Sequence, residues 1–162
     1  MKESQCAGLA HYRTIIALDI EQSTRRTDPV KAELRYKVYE LFEEALGTAG
    51  IYPRYRDEFV DRGDGILALI HPVPQAPKAV LLNRAIPAFS QVLADYNAGL
   101  CRASLPRQLR VRVVIHAGEV RYDSHGCFGE ALDIAFRLLD HARVKGTLRA
   151  GFRHPGWPTG TS

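Results

Sequence analysis

The chain has 162 residues, a length that suits one domain of ordinary size and excludes two typical ones. Its composition, 46% hydrophobic and 25% charged, is that of a soluble globular protein, and its three cysteines show no CxxC spacing, which argues against a disulfide framework and a structural zinc site. The net charge of +4 favours an anionic partner. No apolar run approaches the roughly 20 residues of a membrane span, and no signal-peptide core is present, so a cytoplasmic location is expected.

The first part of the chain predicts a buried strand followed by a long helix. The β-branched run at residues 13–20 is typical of a buried strand. Asp28–Pro29 then offers an N-cap followed by proline in the first helical turn. From there apolar residues recur every three or four positions, which predicts an amphipathic helix that ends near Gly50.

A hairpin and a second helical region follow. Two extended segments, 52–61 and 66–71, flank a short Arg-Gly-Asp-Gly turn, and this arrangement predicts a β-hairpin. Apolar residues between 82 and 96 then share one helical face. Pro87 falls inside this segment, so we expect it to kink the helix or to mark its real start.

The last third of the chain predicts strands and a final helix. Residues 109–116 alternate apolar and polar side chains, as a half-buried strand does, and 120–122 are expected to pair with them across a turn at Ala117–Gly118. A loop at 123–129 leads into a helix at 130–141. This order of elements predicts an α+β or α/β fold with one mixed sheet.

Two aspartates hold unusual positions in this pattern. Asp19 ends a buried strand, where a lone carboxylate is costly to desolvate, and Asp64 lies in the hairpin turn between two glycines. A sheet that brings the two carboxylates together would form an oxygen-rich site for Mg²⁺ or Mn²⁺. The residues alone leave a second interpretation open, in which Asp64 is a turn residue and Asp19 a helix cap.

Four segments occur in the order found in one enzyme family: LDIEQST, RGDGILALI, LRVRVVIHAGEV and FGEALDIAFRLLD. In this order the chain resembles the catalytic domain of class III nucleotidyl cyclases. The resemblance implies a ferredoxin-like α+β fold, with helices packed on a mixed or antiparallel sheet. It covers a cyclase homology domain at 13–142, which leaves an N-terminal arm at 1–12 and a C-terminal tail at 143–162 that is expected to be irregular.

The resemblance assigns a metal site and a phosphate-binding turn. Asp19 and Asp64 would bind two ions of Mg²⁺ or Mn²⁺ per site, with the main-chain carbonyl of Ile20 as a further ligand. One ion would activate the ribose 3′-hydroxyl, and the other would hold the triphosphate and the departing pyrophosphate. The main-chain amides that would hold phosphate oxygens belong to Glu21, Gln22, Ser23 and Thr24.

The final helix would supply the remaining catalytic groups. Arg137 matches the family's helix arginine, which stabilises charge on the α-phosphate. Asp133 stands where the family has asparagine. In this family the site lies at a dimer interface, with the aspartates from one subunit and the arginine from its partner, so the resemblance implies a homodimer with two sites.

The base-reading positions depart from the adenylate cyclase pattern. The lysine position holds Val60 and the aspartate position falls on Gly126, and neither residue supplies the hydrogen bonds that read adenine. A smaller base would suit a pocket narrowed by a bulky side chain. The candidate nucleotide-binding residues in this region are Tyr55, Val60, Arg62, Gly63, Gly126 and Cys127.

The sequence therefore predicts a nucleotidyl cyclase that forms a 3′,5′-cyclic nucleotide and pyrophosphate. The base pattern favours UTP and cyclic UMP, as in the pyrimidine cyclases of antiphage signalling. Three alternatives stay open: an adenylate or guanylate cyclase, a degenerate cyclase domain that binds a nucleotide or a partner without turnover, and an unrelated basic domain that binds nucleic acid. The expected partners are a nucleoside triphosphate and a second subunit, with neither membrane nor nucleic acid.

Overall fold

A computed structural model describes residues 8–141 of the chain, so the tail predicted for 143–162 lies outside the described residues. Within that range five strands form one antiparallel sheet in the order β2-β3-β1-β4-β5. The strands are β1 His11–Ile20, β2 Val60–Asp61, β3 Gly65–Ile70, β4 Val111–Asp123 and β5 Gly126–Phe128. The helices are α1 Asp28–Thr48, α2 Lys78–Val80, α3 Ile86–Ala98 and α4 Glu130–Asp140.

β1 is the central strand and is buried on both faces. Its even-numbered residues, such as Ile16 and Leu18, pack in a core with α1 and α3, whereas Ile15 and Ala17 pack under α4 on the other face. This alternation follows from the two-residue period of a strand. The α+β class is confirmed, with an antiparallel sheet, two long helices on one face and α4 on the other.

The helix starts differ in detail from the prediction. Thr27, not Asp28, is the N-cap of α1, and Pro29 lies in the first turn, where its missing N–H costs nothing. The second helical region is continuous from α2 to α3 through a π-helical segment, Leu81–Ala85, in which the N–H of Ile86 bonds to the carbonyl of Leu81. This wider turn lies directly before Pro87, where the sequence predicted an irregularity.

The prediction of a turn at Ala117–Gly118 is wrong. β4 runs unbroken through both residues and pairs with β1 along its length, from Ile20 opposite Val111 to His11 opposite Val120. Gly118 serves packing instead, because a Cβ atom there would lie 2.6 Å from the Cβ of Ala131 in α4.

The loop predicted at 123–129 is partly wrong, because it contains β5, which pairs Cys127 with Tyr122 of β4. In the first hairpin, the strand predicted at 52–61 is reduced to β2, because Pro53–Tyr55 forms a 3-10 turn. None of the helices within residues 8–141 is long and apolar enough to cross a membrane.

Candidate active site

The hairpin turn places Asp64 beside the end of β1. The N–H of Ile20 donates a 2.8 Å hydrogen bond to the Asp64 carbonyl. Gly63 adopts a left-handed conformation with φ of 80°. Gly65 lies so close to β1 that a Cβ atom would approach the Leu18 carbonyl oxygen to 2.1 Å. The two glycines that flank Asp64 are therefore needed to form the turn and to bring it against β1.

Asp19 lies on the α4 face, with Gly65 opposite on β3 and Arg112 opposite on β4. The Arg112 guanidinium donates to both carboxylate oxygens of Asp19, from Nε to Oδ1 at 2.7 Å and from Nη2 to Oδ2. This hydrogen bond raises the pKa of Arg112. Arg112 had no predicted role, although this residue belongs to the segment LRVRVVIHAGEV and the alternation of residues 109–116 places it on the same strand face as Val114.

The arrangement fits a divalent cation that completes its coordination with substrate oxygens. The predicted ligands Asp19, the Ile20 carbonyl and Asp64 come from neighbouring strand ends. Within the described residues, no cluster of three or more His, Cys, Asp and Glu side chains could hold a metal alone. Mg²⁺ commonly takes one or two carboxylates together with substrate phosphates and water, so this donor set suits it. A cation at Asp19 would compete with Arg112.

The turn after β1 is the predicted phosphate-binding segment. Gln22 has φ of 58°, the left-handed region that non-glycine residues rarely adopt and that often marks a functional turn. Ser23–Arg25, which includes Thr24, forms a 3-10 turn. The amide of Glu21 is already used, because it donates to the Arg110 carbonyl at 2.7 Å. The Glu21 amide is thus not available to bind phosphate oxygens, and the phosphate-binding role of residues 22–24 stays a prediction.

The two candidate residues on α4 project away from the sheet of their own chain. Ala135 and Leu139 of α4 are buried against the sheet, whereas Asp133 and Arg137 are exposed. The Nε of Arg137 contacts the Asp133 carbonyl within the helix at 3.4 Å. Within one chain, Arg137 is therefore not brought to Asp19 and Asp64.

Several of the base-reading candidates gather along the α4 face. Val60 pairs with Leu67, a residue of the core under α4, and is 36% exposed. The Arg62 guanidinium lies over the Phe136 ring of α4, 4.2 Å from its centroid. Burial raises the pKa of the half-buried Cys127 thiol, and the nearby charge of Arg62 offsets only part of this increase.

The other base-reading candidates lie elsewhere. Tyr55 packs against the core on the α1 face, so the structure does not bring it to Val60. Gly63 is exposed in the hairpin turn, and Gly126, with φ of 133°, begins β5.

A second polar cluster surrounds Asp57, which the sequence did not single out. The Asp57 carboxylate accepts a hydrogen bond from Tyr122 at 2.5 Å, lies 2.8 Å from His71 Nε2 and pairs with Arg13 at 3.4 Å. Burial would raise the pKa of Asp57, but these hydrogen bonds and the charge of Arg13 lower it overall. Burial and the bond to Asp57 raise the pKa of Tyr122 to about 12. The cluster ties β4 to the segment before β2.

Comparisons with known proteins identify the fold. No protein-family model and no curated protein sequence matches the chain. Solved structures do match it. A bacterial light-regulated adenylyl cyclase is 14% identical, with a TM-score of 0.63 over 83% of this chain and 72% of that one. An adenylate/guanylate cyclase/hydrolase from Silicibacter pomeroyi is 19% identical, with a TM-score of 0.59 over 91% of this chain and 85% of that one.

A third match is the guanylate cyclase domain of a Catenaria anguillulae protein in complex with GTP, at 16% identity and a TM-score of 0.54 over 79% of this chain and 71% of that one. The chain therefore has the fold of the catalytic domains of nucleotidyl cyclases. At these identities the likeness defines the fold alone.

Proposed function

We propose that the chain is a nucleotidyl cyclase that converts a nucleoside triphosphate to a 3′,5′-cyclic nucleotide and pyrophosphate. The observation that carries the proposal is the position of Asp19 and Asp64 at neighbouring strand ends of a cyclase fold. Carboxylate oxygens are ligands that Mg²⁺ and Mn²⁺ prefer, so two of them at this edge of the sheet can serve the reaction by holding these ions.

Asp19, Asp64 and the Ile20 carbonyl would hold Mg²⁺ or Mn²⁺, two ions per site. When bound, the ions supply activation of the 3′-hydroxyl and neutralisation of the pyrophosphate charge. Arg112 is the natural counter-ion of Asp19 when no cation is present. With a cation at Asp19, its guanidinium becomes available to the anionic oxygens of the triphosphate, which it can bind in a bidentate manner.

Arg137 would act on the site of a partner subunit. It is exposed on α4 and points away from its own sheet, as expected of a residue that works across an interface. At the partner's site its guanidinium would stabilise the charge that develops on the α-phosphate. A two-fold dimer would then contain two such sites, each built from both chains.

We propose a pyrimidine base, with UTP converted to cyclic UMP as an antiphage signal. The support is that Val60 offers an apolar, partly exposed side chain and Gly126 offers none, so neither can pair with the purine edge that adenylate cyclases read. A purine cyclase is the second candidate, because the guanylate cyclase domain from Catenaria anguillulae was solved in complex with GTP. Asp133, where the family has asparagine, supports the third candidate, a domain that binds nucleotide without turnover.

A product assay tests the proposal. The protein is incubated with Mn²⁺ and each of ATP, GTP, UTP and CTP separately, and the products are identified by mass, with Asp64→Asn as the matched control. We expect the wild type to form cyclic UMP and Asp64→Asn to form no cyclic product. A cyclic purine product would assign the second candidate. Binding of a triphosphate without any product would contradict the cyclase and favour the third candidate.

A further inference from the structure

A basic cavity of about 460 Å³ lies at the end of the sheet, beside the turn that follows β1. Its walls come from this turn, the start of α1, the 3-10 segment Arg102–Arg107 and the residues that lead into β4. Three arginines line it, Arg25, Arg26 and Arg110, against one acidic residue, Glu21. The charge of the lining is therefore positive on balance.

Arg26 has a buried hydrogen-bond donor for which the described residues offer no acceptor. Its Nη2 donates to the Gln108 carbonyl at 2.8 Å, but Nη1 is buried and has no hydrogen-bond partner among residues 8–141. Burial also lowers the pKa of this guanidinium. A buried donor that makes no hydrogen bond costs about 1–3 kcal/mol, so such an atom calls for an explanation, such as a bound water or an anion.

Arg56 provides an internal comparison. Its Nε is also buried without an acceptor in the part of the chain that the structure describes. The guanidinium of Arg56, however, donates from Nη2 to both carboxylate oxygens of Glu43 at 2.6 Å. The acceptor of Arg26 is a neutral carbonyl, so this hydrogen bond, unlike that of Arg56 with Glu43, leaves the positive charge of a cavity-lining guanidinium without a carboxylate partner.

We propose that this cavity binds a phosphoryl oxyanion through Arg26, with Arg25 and Arg110 as supporting cations. Guanidinium groups bind the tetrahedral oxygens of phosphate in bidentate geometry and keep their charge at all physiological pH values. The volume has room for pyrophosphate as well as for a single phosphate. Asp19, Asp64 and Arg112 do not line the cavity, so the oxyanion site is distinct from the metal carboxylates.

The phosphoryl group has two possible sources. Gln22 lines the cavity and also belongs to the turn predicted to hold the substrate phosphates, so the terminal phosphate of a bound triphosphate is one source. Free phosphate or pyrophosphate, the latter a product of the proposed reaction, is the other. The first source rests on the proposed function, whereas the second does not, because a free anion needs neither metal nor nucleotide.

Isothermal titration calorimetry separates the sources. Phosphate, pyrophosphate and a non-hydrolysable nucleoside triphosphate are titrated into the protein in the presence of EDTA. Arg26→Gln is expected to weaken binding of the anion by about tenfold or more, because a charge-assisted hydrogen bond is lost. Arg84→Gln, an exposed change in the π-helical segment away from the cavity, is the control and should bind like the wild type.

A second variant covers the case in which Arg26→Gln does not fold. The double change Arg25→Gln and Arg110→Gln affects exposed side chains and should also weaken binding. Weaker pyrophosphate binding in these variants assigns the site to free anions, and weaker binding of the triphosphate alone assigns it to the substrate tail. Equal affinity of wild type and variants for all three ligands would overturn the proposal, as would loss of pyrophosphate binding in Asp64→Asn. Failed cyclisation in the product assay would leave the pyrophosphate result unaffected.

Discussion

Arg112 binds both carboxylate oxygens of Asp19 across the β1–β4 pair, so the acid proposed to hold the metal already has a cation beside it. Both side chains are largely buried, where an ion pair is costly to form and more costly to break. The pair explains how a carboxylate persists at the end of a buried strand before any cation binds. It also predicts that metal binding and the Arg112 contact are coupled.

Removing Arg112 should destabilise the metal-free protein. Arg112→Gln takes away the positive partner of a buried carboxylate, so the free energy of unfolding in EDTA should fall by about 3 kcal/mol. Mn²⁺ should recover part of this loss, because the cation replaces the lost charge. Chemical denaturation with and without Mn²⁺ measures both effects. The double variant Asp19→Asn/Arg112→Gln should lose less than Arg112→Gln alone, and an equal or larger loss would contradict the coupling.

Substitution of Asp64 tests the assignment of the metal ligands. Asp64→Asn should abolish product formation and leave the melting temperature without metal nearly unchanged, because Asp64 is half-buried in a turn whose contacts to Ile20 are main-chain. The wild type should gain thermal stability with Mn²⁺, and Asp64→Asn should gain much less. Glu44→Gln, an exposed change on α1, is a control that should behave like the wild type. Full activity of Asp64→Asn would remove Asp64 from the site.

Gly118 sets the distance between α4 and the sheet. Gly118→Ala puts a Cβ atom 2.6 Å from that of Ala131, so α4 must shift, and we expect a loss of about 2 kcal/mol in the free energy of unfolding. Ala131→Gly in the same chain should recover part of it. Gly47→Ala in α1 is the matched control, since a Cβ there meets nothing within 4 Å and alanine favours the helix. A Gly118→Ala variant as stable as the wild type would show that α4 is not packed as described.

The Asp57 cluster should make stability depend on acid pH. Because its folded pKa is lowered, Asp57 contributes stability above its unfolded pKa of about 3.9, and this contribution is lost as the pH falls through the folded value. Tyr122→Phe removes one of the bonds that lower this pKa. It should cost about 1 kcal/mol near neutral pH and progressively less below about pH 4. Urea denaturation across this range measures the difference.

Tyr36→Phe is the control for that series. Because Tyr36 is 75% exposed, this substitution should leave the free energy of unfolding unchanged at every pH tested. The phenol of Tyr122 should itself ionise late, at about pH 12, and an absorbance titration should lose that late phase in Tyr122→Phe. A cost of Tyr122→Phe that stays constant into acid would mean that the phenol does not act through Asp57.

The helices and strands whose apolar residues recur at regular intervals were predictable from the sequence. β1, α1 and α4 have continuous apolar patterns that tertiary contacts reinforce, so they follow from the sequence. The turn at Ala117–Gly118 was wrong because glycine signals a turn in local reasoning, whereas here it makes room for a helix from elsewhere in the chain. β5 has only three residues, which is too short to show the alternation of apolar and polar side chains that predicts a strand.

The candidate active site was predictable only where local sequence marks a residue. Asp19 and Asp64 stand out because their positions are unusual within their own elements. Arg112 does not, since its role depends on which residue of β1 lies opposite, and strand register is a tertiary property. Tyr55 looked like a candidate for the nucleotide pocket in the sequence, yet the 3-10 turn that contains it places the ring on the other face of the sheet.

The central claim is a metal-dependent cyclase site shared between two subunits, and mixing two inactive variants tests it most directly. Asp64→Asn and Arg137→Ala are each expected to make no cyclic nucleotide with Mn²⁺. After mixing and subunit exchange, half of the dimers are hybrid and each hybrid has one intact site, so about one quarter of the wild-type activity should return. An active wild type with no recovery in the mixture would contradict the shared site, and an inactive wild type would contradict the cyclase itself.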